Sequence, residues 1–296
     1  MTIKTFLILA LAGFTLFFII TLATAFRKNR ELLQTLVLLA TGFVTNFFDT
    51  LGIGSFAPTT AIFKFTRLVR DELIPGTLNI GHTLPTITQA FIFITIVKIE
   101  PVTLLLMIAA SVLGTWLGAG VVSKWPRRNI QIGMGIALLV AAALTLKKIY
   151  DNDPADIGAL ELRGIKLLLG IAGNFVLGAF MSLGIGLYTP CMILITLLGM
   201  NPKAAFPIMM GSCAFLMPVG SARFIREGKF DLRSVFGLAL GGIPAVLIAA
   251  FIVKSLELKY MLWLVVIVVL ITAIMMLYSA MTERKNSVSS PTVREG

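Results

Sequence analysis

The sequence predicts an all-α integral membrane protein, a polytopic helical bundle of two inverted repeats, each with a Gly-broken (re-entrant or discontinuous) helix pair. Three observations predict it. Hydrophobic residues make up 57% of the 296 residues and charged residues 13%, with mean hydropathy +0.96, against roughly 45–50% and about 25% in soluble domains. The apolar residues form continuous runs near the roughly 20 residues a span needs, not the alternation of an outer-membrane barrel. One glycine-and-proline signature occurs twice. Together these exclude a soluble enzyme and a disordered chain.

The apolar runs cover 6–26, 33–65, 77–97, 101–123, 129–148, 164–199, 204–225, 233–253 and 260–281. The first follows Lys4 and ends with Ala23-Thr24-Ala25, which imitates a signal-peptide cleavage site. It exceeds the usual signal core of roughly 7–15 residues, and the heavier charge of Arg27, Lys28 and Arg30 comes after it. We therefore expect a retained helix with its C-terminal end in the cytoplasm.

Two runs, 33–65 and 164–199, are too long for one span. The first is interrupted by Phe48-Asp49-Thr50-Leu51-Gly52-Ile53-Gly54-Ser55-Phe56-Ala57-Pro58, the second by Phe180-Met181-Ser182-Leu183-Gly184-Ile185-Gly186-Leu187-Tyr188-Thr189-Pro190, at a constant offset of 132. Gly81-His82-Thr83 parallels Gly211-Ser212-Cys213 at an offset of 130. Paired glycines open the backbone, and proline suits the first turn of a new helix. Each long run is thus expected to be two helices meeting at a break. If the second helix of each pair turns back, the basic loops holding Arg67 and Arg70, Lys124 to Arg128, and Arg223 to Arg233 all fall on one face. Insertion places such loops in the cytoplasm, which also accounts for the net charge of +11 without nucleic acid. Each half then crosses an odd net number of times, so the halves are inverted, a common transporter plan. The resulting organisation is an N-terminal helix and basic loop 1–31, repeat A 32–149, an extracytoplasmic linker 150–163, repeat B 164–281 and a cytoplasmic tail 282–296. The N-terminus is outside and the C-terminus inside the cell membrane.

The repeated glycine-rich break followed by proline, with a downstream Gly-Thr-Ser-like triplet, resembles the TauE/SafE family of sulfite exporters and 4-toluenesulfonate uptake permeases. The resemblance covers roughly 33–281. It implies movement of sulfite, sulfonates or related sulfur-containing anions and leaves direction open. The triplets here, Gly81-His82-Thr83 and Gly211-Ser212-Cys213, depart from Gly-Thr-Ser.

The residues point to an anion on their own terms. A break leaves unpaired N–H groups at the start of the next helix, and these attract anions. Candidate substrate-binding residues are Asn46, Gly52, Gly54, Ser55, Thr59, Gly81, His82, Thr83, Gly184, Gly186, Tyr188, Thr189, Gly211, Ser212 and Cys213. Their hydroxyls either donate to the anion or only satisfy broken backbone. Asn174, near the second break, could likewise bond substrate or freed carbonyls. Asp49 is the only carboxylate well inside an apolar run, and its repeat counterpart is Met181. Together with His82, the sole histidine, it is a candidate proton carrier; the plainer readings are a polar cap and a packing histidine. Cys191 and Cys213 lack disulfide or metal-ligand spacing and are expected to be packing residues. No cofactor or metal is expected. The expected partners are a small anion, the bilayer and protons.

The expected function is secondary active transport of a small sulfur-containing anion by alternating access. A passive anion channel is the alternative. An intramembrane aspartyl protease needs two carboxylates, and the chain has no His-Glu-x-x-His or Gly-x-Ser-x-Gly, so an enzyme is not expected.

Overall fold

The computed structural model describes residues 3–26, 36–122, 127–150, 159–181 and 186–288. The basic stretch 27–31, Lys124, most of the 150–163 linker and the end of the polar tail therefore lie outside the described residues. Among the described residues there are eleven α-helices and two short 3-10 turns, with no strand. The α-helices are α1 (Ile3–Phe26), α2 (Leu36–Thr50), α3 (Phe56–Thr66), α4 (Ile74–Ile96), α5 (Pro101–Val122) and α6 (Arg127–Tyr150), then α7 (Gly164–Met181), α8 (Tyr188–Leu197), α9 (Ala205–Glu227), α10 (Leu232–Ser255) and α11 (Leu258–Val288). Among the described residues five stretches are long and apolar enough to cross a membrane: Arg128–Lys147, Gly164–Met181, Pro202–Glu227, Leu232–Ser255 and Lys259–Met281. The molecule is a multi-pass, all-helical membrane protein.

The long run 33–65 becomes α2 and α3. Thr50 ends α2, and Gly52 (φ 103°) and Gly54 (φ 91°) carry the chain through a conformation that side chains resist. The run 164–199 becomes α7 and α8. Residues 182–185, with Gly184, lie outside the described residues.

Packing exchanges partners between the two halves. Helix α2 lies parallel to α10, with Leu38 at Gly237, Leu39 at Gly241 and Asn46 at Gly242. Its counterpart α7 lies parallel to α5, with Gly170 at Met107, Gly178 at Ser111 and Phe175 at Gly114. Between the halves α4 runs antiparallel to α9: Phe93 stacks on Phe206 (5.0 Å between ring centroids), while Thr83 meets Ser221 (3.1 Å). Likewise α6 runs antiparallel to α11, where Gln131 donates to Ser279 (3.1 Å) and Gly135 faces Ala273 and Leu277. Small residues allow these approaches, because lipid offers no hydrophobic drive and close backbone contact must supply the attraction.

Two ends can be told apart. At one, Lys4 Nζ donates to Val97 O (3.1 Å), Glu100 N–H to Leu160 O (2.9 Å), Asn201 N–H to Ala159 O (2.9 Å) and Lys203 Nζ to Leu256 O. At the other, Asp231 N–H donates to Thr77 Oγ1 (2.9 Å) beside the exposed Arg67, Arg70, Arg223, Arg226 and Arg233.

Glu100 starts α5 at the first end. Its carboxylate accepts the N–H groups of Val102 (2.9 Å) and Thr103 (2.6 Å), satisfying donors the helix leaves open. Burial raises its pKa, but those N–H groups and Arg163 outweigh it and hold the carboxyl below the usual range. A lowered native pKa stabilises above the unfolded value and is lost as pH falls through the native one. Glu100→Ala should cost about 1 kcal/mol near neutrality. The deficit against wild type should shrink in thermal melts taken at acid pH.

Candidate functional site

The buried polar residues converge on the first break. Among the described residues, Asp49 and His82 are the only buried acid and imidazole, and no Lys or Arg is buried. Asp49 lies one residue before the end of α2, beside the first break. Its carboxylate takes a hydrogen bond from Gln89 Nε2 (2.8 Å) on α4. The second Gln89 Nε2 proton goes to Thr50 Oγ1 (2.9 Å), and Gln89 Oε1 accepts from Tyr188 OH (2.9 Å). Tyr188 is the first residue of α8. One chain, Asp49–Gln89–Tyr188, therefore ties the end of α2 to the start of α8.

A second chain holds His82. Asn46 Nδ2 donates to Gly42 O (2.7 Å), which leaves Asn46 Oδ1 to accept from His82 Nδ1–H (3.0 Å). In a neutral ring Nε2 is then the acceptor. It faces Thr59 Oγ1 at 3.0 Å, whose single proton is also within reach of Ser55 O (2.7 Å). The Thr59 hydroxyl thus has two acceptors and one proton to give.

Other expected residues are placed differently. Thr189 bridges the breaks by donating to Gly52 O (2.8 Å) and pairing with Thr272 (2.8 Å). Thr83 donates to Asn79 O and meets Ser221. Gly81 and Gly211 serve helix packing: a Cβ would strike Leu238 of α10 (2.8 Å) or Ile108 of α5 (2.6 Å). Asn174 donates to Met107 O (2.6 Å), between α7 and α5. Cys213 Sγ lies 3.7 Å from Met181 Sδ, and Ser212 Oγ is buried without a partner. Beside both Gly54 and Gly186, a Cβ would meet nothing within 4 Å. Open space therefore adjoins each break.

Residues 166–294 match the family model for the sulfite exporter TauE/SafE. This part of the chain is similar to the TauE/SafE family. No curated protein and no solved structure matches the chain. The matched stretch begins in α7 and takes in the described part of the second break, then α8 to α11. The polar cluster lies where that stretch meets the first half: Tyr188 and Thr189 come from within it, and Asp49, Gln89 and Gly52 from outside it.

Gln89, Thr50, Thr86, Ser221 and Thr272 were not singled out as site residues by sequence. Part of the signal was there, since His82, Thr86 and Gln89 recur at i, i+4 and i+7 and so share a helix face. The partners on α9 and α11 are single hydroxyls in apolar runs, with no pattern around them.

Proposed function

We propose that the protein is a secondary transporter of a small sulfur-containing anion such as sulfite or a sulfonate. The anion binds between the breaks at 52–60 and 184–190 and moves by alternating access. The observation that carries this reading is the joining of two interrupted helices, through Asp49, Gln89 and Tyr188, beside open space at Gly54 and Gly186. Helix N-termini attract anions, and the absence of buried Lys or Arg among the described residues suits a cargo that must be released. The TauE/SafE match supports the substrate class.

In this reading the halves are inverted repeats, supported by the exchanged packing of α2 on α10 and α7 on α5. The arginine-rich end is cytoplasmic, which puts Lys4 outside and the C-terminus inside. Asp49 and His82 carry coupled protons.

Three measurements test this. Sulfite or a sulfonate should raise the melting temperature of purified protein by linkage, and proteoliposome flux should saturate and exchange, whereas a channel would carry a large current. Gly186→Leu should fold, because the space is open, yet lose transport, while Gly54→Leu also strains the backbone at φ 91°, so its transport is read on the folded fraction. Normal transport by both would place the site elsewhere. Cysteines introduced at Ala159 and in the 289–296 tail should label from opposite faces.

A further inference from the structure

The hydrogen bonds around Gln89 have a fixed direction. A carboxylate only accepts, so the amide nitrogen faces Asp49 Oδ2 (2.8 Å) and the amide oxygen faces away. Gln89 Nε2 gives its second proton to Thr50 Oγ1 (2.9 Å), whose own proton goes to Asn46 O (2.8 Å). Gln89 Oε1 then takes the Tyr188 O–H (2.9 Å). All four side chains are buried, and no buried Lys or Arg among the described residues balances the carboxylate. The charge on Asp49 therefore sets which way the amide points, and the amide sets whether Tyr188 donates or accepts.

We propose that Gln89 is a positioning residue that relays the protonation state of Asp49 to Tyr188: when Asp49 Oδ2 takes a proton, the amide turns over and the Tyr188 hydroxyl changes from donor to acceptor. The inference rests on the proton-coupled transport reading above and deepens it by naming the path from the proton to the second break. A proton from solution forms an O–H bond on Asp49 Oδ2 and neutralises it. That hydrogen needs an acceptor where Nε2 stood, and Oε1 supplies it. Nε2 then donates to Tyr188 Oη. The Thr50 hydroxyl keeps its bond to Asn46 O and loses only a donor. The Tyr188 O–H is released and can be given to an anion. Tyr188 opens α8, two residues beyond Gly186 and its open space. Taking up a proton thus creates a donor for the anion in a core without cations. Of the elements packed on α2, helix α4 brings His82 and the neutral Gln89, α3 carries the exposed Lys64, and α10 the exposed Arg233 and Lys254 at its ends. Helix α8 adds Tyr188 and Cys191, and α9 adds Cys213, its charges being confined to its exposed last turns.

The test is spectroscopic, on the purified full chain in detergent. The tyrosine Raman doublet separates a phenol that donates from one that accepts, and wild type minus Tyr188→Phe isolates Tyr188 among the chain's four tyrosines. The infrared C=O band of the protonated carboxyl is assigned by its loss in Asp49→Asn. As pH falls, the band should appear and the doublet should move from the donor to the acceptor ratio at one midpoint. Gln89→Met should keep the band and lose the doublet shift. A doublet that holds the donor ratio while Asp49 takes its proton overturns the relay, as does the absence of the band at every pH at which the chain is folded. Calorimetry with methanesulfonate, whose own charge is constant across this range, tests the transport reading separately. Wild-type affinity should weaken about tenfold per pH unit above the midpoint. Sulfonate binding beside a fixed doublet overturns the relay alone, and a shifting doublet without sulfonate binding at any pH overturns the anion reading alone. If Asp49→Asn or Gln89→Met does not fold, the titration of the wild-type doublet decides.

Discussion

Gly178→Ala and Gly241→Ala are expected to abolish recovery of folded protein from membranes, although each adds one methyl group. A Cβ at Gly178 would collide with the carbonyl of Ser111, and one at Gly241 with the carbonyl of Leu39. Neither obstacle is a side chain that can swing away. Each is backbone, hydrogen-bonded within its own helix. Relief requires α7 to part from α5, or α2 from α10, along their shared length. The cost should reach or exceed the roughly 1–3 kcal/mol usual for overpacking. Gly133→Ala is the control, since nothing lies within 4 Å of its added Cβ, and it should melt like wild type. Gly114→Ala obstructs the same α5–α7 seam against Phe175. Combined with Gly178→Ala it should cost less than the two singles added, because one separation relieves both clashes. Wild-type melting of Gly178→Ala in detergent would mean that these helices do not touch as described.

The same glycines show why much of the fold was legible and the pairing was not. Positive φ at Gly52 and Gly54 is a local demand, so Gly-Ile-Gly announces itself wherever it stands in an apolar run. The apolar lengths, too, mark helices directly, because lipid leaves a spanning backbone no other way to pair its hydrogen bonds. Which helix packs on which is set by matching of distant surfaces. Nothing in Leu36–Thr50 names α10 as its neighbour, and Gly42, Gly237 and Gly241 become a seam only when brought together. Gly81 and Gly211 teach the converse. Their matched spacing was read as a sign of substrate, yet the structure sets them against Leu238 and Ile108. Those two contacts also match at an offset of 130, so the repeat at these positions is a repeat of packing. Asp49 was visible as a lone acid in an apolar run, because its cost in lipid makes it conspicuous. Its partner Gln89 is uncharged and lies forty residues away, and only the fold could join them.

Removing that partner should produce the largest effect of any single polar substitution in the cluster. Gln89→Leu strips the buried Asp49 carboxylate of one donor and leaves the Tyr188 hydroxyl without its acceptor. A buried charge deprived of a partner costs about 3–5 kcal/mol, and a stranded hydroxyl about 1–3 kcal/mol. Tyr188→Phe alone strands only Gln89 Oε1 and should fall in the smaller range. The decisive variant is the double. In the Gln89→Leu background the Tyr188 hydroxyl is already unpaired, so Tyr188→Phe removes a liability and should recover about 1 kcal/mol. Thermal or denaturant unfolding in detergent supplies all four corners of the cycle. Additive losses would show that Gln89 and Tyr188 act independently, and the link between the end of α2 and the start of α8 would lose its energetic meaning. A recovery would identify that link as a real constraint between the two halves, set where the proposed alternating access would have them move relative to each other.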